Sequence, residues 1–314
     1  MKKSSIILVF YLFAKSTFCQ QVALSSQYII NELTINSGIA GLKGHTQIGL
    51  SLRRQWAGID DAPVTQTLWG HAPLRGGFAV GGILYNDVSG PTRRTGFSPV
   101  FAYQMRLNRK YMLSFGAGAS LTQFYMDREK MNTELPYDIA VEQNSNNQFV
   151  PDANIGFWLT SKDMFVGLSA WHLIQSKKDL YDIEAYISNT LDRTYYFTSG
   201  YSFRLSRKTT LTPSAVIRLM GNAPMAFDFN TTLTHQQKYW GGLSYRHKDA
   251  VVILMGIRLG PARFGYSYDV GINGLRTFHS GSHEIFLGID AGDLYAKKMP
   301  WKRRNKVFSS FSNM

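Results

Sequence analysis

The chain has 314 residues, 44% hydrophobic and 14% aromatic, with a mean hydropathy of −0.16 and a formal charge of +13. A helical membrane protein of this size would show several apolar runs of roughly 18 residues or more, and none follows the first 19 residues. The composition leaves a transmembrane β-barrel and a soluble β-protein open, because only alternate barrel residues meet lipid.

Residues 1–19 read as a secretory signal peptide. Lys2 and Lys3 form a basic start, Ile6 to Phe13 a short apolar stretch, and Thr17-Phe18-Cys19 a cleavage site before Gln20. Cys19 invites a lipoprotein reading, but Phe18 stands where such signals place a small residue. Cleavage there leaves the exported chain without cysteine and, with Lys2, Lys3 and Lys15 removed, a charge of +10. Export argues against nucleic acid. It turns the positive charge toward anionic lipid headgroups, surface polysaccharide phosphates or an acidic protein, with plain solvation of lumen and rim arginines as the alternative.

Residues 20–43 are rich in Ser, Asn and Gly, and are expected to plug a lumen or lie beneath it. Residues 44–293 are read as about fourteen antiparallel strands, from near 44–53 to near 283–293, each long enough to cross a bilayer at a tilt. Ile48, Leu50 and Leu52 alternate with Gln47, Gly49, Ser51 and Arg53. The same pattern returns at Leu113, Phe115, Ala117, Ala119 and Leu121, and at Ile285, Leu287 and Ile289 against Glu284, Gly288 and Asp290. One face is apolar and the other small or polar, as a barrel with a wet or filled lumen requires.

The connections alternate. Long ones are read at 54–62, 86–95, 126–148, 174–193 and 271–282, and short ones at 74–75, 108–110, 161–162, 206–207 and 260–261. Outer-membrane barrels have long outer loops and short periplasmic turns. An even strand count then puts both chain ends on the periplasmic side. Aromatic residues near the predicted strand ends, among them Trp69, Tyr103, Tyr125, Trp158, Tyr201 and Trp240, are expected to form interfacial belts. Residues 294–314 form a basic tail, with Lys302, Arg303 and Arg304 beside Trp301, suited to a headgroup or partner contact or to a solvated end.

No catalytic constellation emerges. His279 and His283 flank a turn, where a spacing of four has none of its helical meaning. His279-Ser280 are chain neighbours, which point apart in a strand. No metal or cofactor is expected. The pair Asp60-Asp61 lies in the first long loop ahead of Pro63.

Three segments carry a family resemblance. Ser26-Gln27-Tyr28-Ile29-Ile30-Asn31, with Asn36 and Ala40-Gly41, resembles the opening S-Q-Y-x-x-N-P-x-x-x-N-P-x-x-A-G of the PorP/SprF family. Arg54-Gln55-Trp56 through Ala62-Pro63, with Thr65-Gln66, is similar to its R-x-Q-W-x-G-x-x-x-A-P-x-T-Q segment, and Tyr268-Asp269 through Gly281-Ser282-His283-Glu284-Ile285 to its closing motifs. Glu32 and Ser37 stand where the family has proline, a departure that loosens the expected plug geometry and suggests a diverged paralogue. The resemblance implies a non-enzymatic outer-membrane component of the type IX secretion and gliding machinery of Bacteroidota, which receives or anchors the C-terminal domain of a secreted surface adhesin. Further partners it suggests are other secretion components on the periplasmic side and outer-membrane lipid or lipopolysaccharide. The expected contact surface is the outer rim, with Trp56, Asp60 and Asp61 in the first long loop and Tyr181, Tyr186 and Tyr195 near another. A passive channel for small solutes is the alternative; a lipid-modifying enzyme would need a lipid-facing Ser/His pair.

Overall fold

The computed structural model describes residues 25–28, 30–127, 130, 147–175, 191–221 and 223–291. They build a closed, antiparallel, 14-strand β-barrel. The strands are β1 (Thr46–Arg54), β2 (Val64–Pro73), β3 (Phe78–Ser89), β4 (Thr92–Arg106), β5 (Met112–Met126), β6 (Asn147–Thr160), β7 (Met164–Trp171), β8 (Thr194–Tyr201), β9 (Phe203–Arg204), β10 (Thr209–Met220), β11 (Ala223–His235), β12 (Tyr239–Arg246), β13 (Ala250–Leu259), β14 (Ala262–Gly271) and β15 (Ser282–Ala291). The short β9 continues β8 past a break at Ser202, and both pair with β10, so the two count as one stave. Closure comes from β1 against β15, in register from Thr46↔Ala291 to Arg54↔His283. A closed barrel leaves no unpaired strand edge in lipid, where each unsatisfied backbone group costs several kcal/mol.

The predicted strands match these staves to within a few residues, and the period-two pattern assigns the faces. Ile48, Leu52, Leu121, Leu243 and Ile289 are exposed on the outer wall, while Gln47, Ser51, Arg53, Ser114 and Glu284 are buried inside. Water-facing and lipid-facing positions thus alternate along each strand.

The structure corrects the sequence reading in three places. The long loop read at 86–95 is a tight hairpin. Asn86↔Thr95 and Ser89↔Thr92 are paired, and only Gly90-Pro91 connects the strands, with Gly90 at φ 54°. Polar residues there read as loop, but Arg93 and Thr95 both donate to the Asn86 side chain, at 2.7 and 3.1 Å, and so extend the ladder past its apolar part.

The aromatic belt is the second. Tyr103, Tyr125 and Tyr201 do lie on the outer wall. Trp69 and Trp158 are buried in the lumen. Trp69 sits opposite Gly49, Trp158 opposite Gly167 and Trp240 opposite Gly256 on neighbouring strands. A Cβ on those glycines would lie 2.6, 2.3 and 2.0 Å from the indole rings, so each ring lies flat over its glycine. Covering a strand glycine with a cross-strand aromatic restores the packing that the missing side chain forfeits.

The third concerns the N-terminal end. β1 and β15 start and finish on the short-turn side, as strand parity predicts. The segment ahead of β1, however, folds back through the lumen, so Ser25 and Ser26 touch Glu284 and Asp269 near the outer ends of β15 and β14. Residues 1–19, read as a signal peptide, and the basic tail 294–314 lie outside the described residues.

Candidate functional site: the lumen, its N-terminal segment and the outer rim

Residues 25–45 descend through the lumen before entering β1. Two 3-10 turns shape the path, η1 (Glu32–Thr34) and η2 (Ser37–Ile39). Asn36 caps the second, its Oδ1 accepting from Gly38 N at 2.9 Å. Its Nδ2 donates to the backbone carbonyls of Phe157 and Leu168, both at 3.1 Å. Such close approach needs a bare wall. A Cβ on Gly116 would fall 2.2 Å from the Ser37 carbonyl carbon, and one on Gly156 2.1 Å from Asn36 Oδ1. Lower down, Gly41 N donates to His71 Nδ1 at 3.2 Å and Gln104 donates to the Ala40 carbonyl at 2.9 Å. Leu33 and Ala40 pack with Trp69, Ile83, Val100 and Phe286. Ile39 and Leu42 pack with Trp158 and Phe165.

The top of the segment is held by a buried ionic network. Glu284 accepts from Ser25 Oγ and Ser26 N, both at 2.7 Å, and from Ser51 Oγ at 2.6 Å. Asp269 accepts from Ser26 Oγ at 2.7 Å and pairs with Arg53 at 2.8 Å and Arg246 at 3.5 Å. Arg246 also meets Asp249 at 3.1 Å. Gln27 reaches the Glu284 carbonyl at 3.0 Å, and Tyr28 meets Asn230. Buried charges are tolerable only when paired and hydrogen-bonded, and here the bonds join the segment to β1, β11, β12, β14 and β15. Burial raises the Tyr28 phenol pKa. At the bottom, burial raises the pKa of the Glu32 carboxyl against the pull of Lys43, and lowers that of the Lys43 ammonium.

The segment divides the lumen. Above it an outer chamber is lined by Tyr85, Phe124, Trp171 and Tyr196 together with Arg53, Arg94 and Arg218. Below it an inner chamber is lined by Glu32, Lys43, Trp240, Arg258 and Arg263.

The predicted rim residues are only partly brought together. Trp56 (φ 49°) is half-buried where the first loop clasps the last: Ala57 N donates to the Gly281 carbonyl and Ser280 N to the Ala57 carbonyl, both at 2.8 Å. Its ring lies 6.3 Å from that of His279. Asp60 and Asp61 are exposed nearby, and the Asp61 carbonyl accepts from Gly90 N at 2.9 Å. Tyr195 lies apart, on the outer wall of β8. Tyr181 and Tyr186 lie outside the described residues. The two histidines weighed as metal ligands take separate partners: His279 accepts from Gly281 N, while His283 meets the Tyr266 hydroxyl. Ser280 donates to the Ala57 carbonyl rather than to a histidine.

Residues that meet in the upper network come from far apart in sequence. Ser26-Gln27-Tyr28 open the chain's first motif, and Asp269 and Glu284 belong to its last. Residues 17–289 match the model for the type IX secretion system membrane protein PorP/SprF. The chain belongs to the PorP/SprF family. As a PorP/SprF barrel it is a protein of the outer membrane, in a family of secretion membrane proteins and not in an enzyme class. Comparison with curated protein sequences gives no match. Among solved structures, the toluene transporter TbuX of Ralstonia pickettii shares the fold with a TM-score of 0.50 at 10% identity, over 82% of this chain and 92% of its own. The toluene transporter TodX of Pseudomonas putida aligns at TM-score 0.45 and 10% identity, over 88% and 95%. The outer-membrane protein BamA of Haemophilus ducreyi aligns at 0.40 and 7%, over 78% and 70%.

Proposed function

We propose that this barrel works by binding, receiving or anchoring the C-terminal domain of a type IX cargo, such as a surface adhesin of the gliding machinery, at its outer face. The observation that carries the reading is the outer chamber, floored by Tyr28, Thr34 and Ile35 of the N-terminal segment. A cup with a floor suits a receptor better than a conduit. The clasped first and last loops form one side of its rim, where Trp56 is braced against His279 and the Asp60 and Asp61 side chains are exposed. Catalysis has no part in this reading. Binding of isolated cargo C-terminal domains to the purified barrel tests it. Trp56→Ala is expected to weaken capture by about 2 kcal/mol if the ring anchors the partner. Unchanged capture by the folded variant assigns Trp56 to the loop clasp alone, and loss of no surface protein on gene deletion rejects the cargo role.

A second reading has one observation in its favour. Chambers lie on both sides of the segment, so its displacement would join them into a channel for small solutes. Planar-bilayer conductance of the wild type separates the two: a receptor is silent, and a channel shows openings as the segment leaves its seat.

A further inference from the structure

The short-turn rim carries a charge pattern that neither the lumen network nor the cargo reading uses. The β4–β5 turn brings together Arg106, Arg109 and Lys110, and the adjacent β2–β3 turn adds Arg75; all four are exposed. The turn between β9 and β10 brings Arg204, Arg207 and Lys208, flanked by Lys162 and Lys238 on the neighbouring turns, again all exposed. Asp163 is the one acid among the described residues of these turns. Ion pairs among the described residues involve lumen groups, and none reaches these nine cations. Uncompensated like charge at such density costs self-repulsion unless something anionic meets it.

What meets it is indicated by the wall directly above. The outward residues next to these turns are aromatic. Phe78 and Tyr103 pair across strands with ring centres 5.0 Å apart, and Tyr201 and Phe203 lie 4.7 Å apart. Lys238 Nζ sits 5.2 Å from the Tyr239 ring centre. Exposed rings at the ends of barrel strands mark the level of the lipid headgroups. The cations therefore lie at that level or just beyond it. They are spread over five successive turns from β2–β3 to β11–β12, so they face surrounding lipid rather than one docking patch.

We propose that the short-turn rim is a binding collar for anionic phospholipid headgroups of the phosphatidylglycerol type, supplied by the leaflet that borders the periplasm. The shared chemistry is phosphate met by guanidinium and ammonium groups, with the aromatic girdle holding the glycerol level in register. The collar anchors the barrel at a fixed depth and angle, leaving the outer face free.

The experiment is native mass spectrometry of the full-length barrel in detergent, supplemented with equal amounts of palmitoyl-oleoyl phosphatidylglycerol and palmitoyl-oleoyl phosphatidylcholine. The wild type is expected to retain the anionic lipid at least about fivefold over the zwitterionic one, since each basic side chain near a headgroup contributes about a factor of five. The preference is expected to fall in high salt, a measurement that needs no variant. Replacing Arg106, Arg109 and Lys110 with Gln removes one part of the preference, and replacing Arg204, Arg207 and Lys208 with Gln removes another. Equal retention of the two lipids by the wild type overturns the proposal. So does an undiminished preference in the combined variant, provided it keeps the heat-modifiable gel shift of a folded barrel. Absence of lipid preference together with capture of an acidic periplasmic protein through the same residues overturns it in favour of a protein partner.

Discussion

The contact between Asn36 and the wall shows how much hangs on single side chains that are missing. Gly116 and Gly156 leave the space into which the Asn36–Gly38 backbone settles, and a Cβ on either would overlap it by more than any side-chain shift relieves. Gly116→Val is therefore expected to leave the β4–β5–β6 ladder intact, since valine favours strands, while expelling the segment from its seat. Limited proteolysis of the intact folded barrel checks this: cleavage within residues 25–45 should rise sharply in the variant, and an unchanged pattern refutes the fit. Ser37 is the opposite case. It opens the second 3-10 turn, its hydroxyl is buried without a partner, and Asn36 before it is extended at φ −150°, ψ 113°. Proline accepts such a position, because it pre-sets the turn and the preceding residue already has the conformation it demands. Ser37→Pro is expected to raise stability by about 0.5 kcal/mol, chiefly by restricting the unfolded chain. An upward shift of the heat-modifiability midpoint is the readout; a downward shift would mean that the ring collides with the wall.

Between the scales of residue and barrel, the segment 25–45 behaves as an element without regular structure. Local backbone bonds, such as Ile35 N to the Glu32 carbonyl and Ala40 N to the Ser37 carbonyl, shape its two 3-10 turns, and the wall fixes where they sit. The upper network has Glu284 and Asp269 facing Arg53 and Arg246, with Ser25, Ser26 and Gln27 as the segment's hooks. Glu284→Gln keeps the shape but removes the charge that receives Ser25 and Ser26 and lies 3.5 Å from Arg53. Breaking a buried charged contact on one side costs on the order of 3 kcal/mol. Detachment of the segment's top is the expected result, seen as faster hydrogen exchange at residues 25–31 with the barrel amides unchanged. Equal exchange in the two proteins would show that the lower contacts, to Phe157, Leu168 and Gln104, suffice alone.

For the whole molecule the question is whether the two chambers communicate. With the segment in place, Leu33 and Ala40 pack against β2–β4 and β15, and Leu42 against β5–β7. Deletion of residues 20–43 is expected to raise single-channel conductance severalfold while the barrel keeps its gel shift. A wild-type conductance that is already large and unaltered by the deletion would show that the segment is no plug. The lipid collar belongs to this scale too, because it concerns how the barrel stands in the membrane rather than what enters it.

Sequence alone determined the barrel, because a strand crossing a membrane must alternate and a closed sheet must satisfy every backbone group; both demands are local and leave a period-two trace. Trp240 carries two conflicting cues: it shares parity with Gly242, Ser244 and Arg246, which points to the lumen it occupies, whereas its nearness to a strand end suggests a belt. The first and last motifs were visible as separate runs. What only the tertiary structure decided is that Ser26 and Gln27 meet Asp269 and Glu284, more than 240 residues away, as β1 and β15 close the ring. Trp56 joined to His279 through the loop clasp is of the same kind. Such contacts have no sequence period, because they depend on which strands become neighbours on closure and on where glycines leave the wall bare enough for another segment to lie against it.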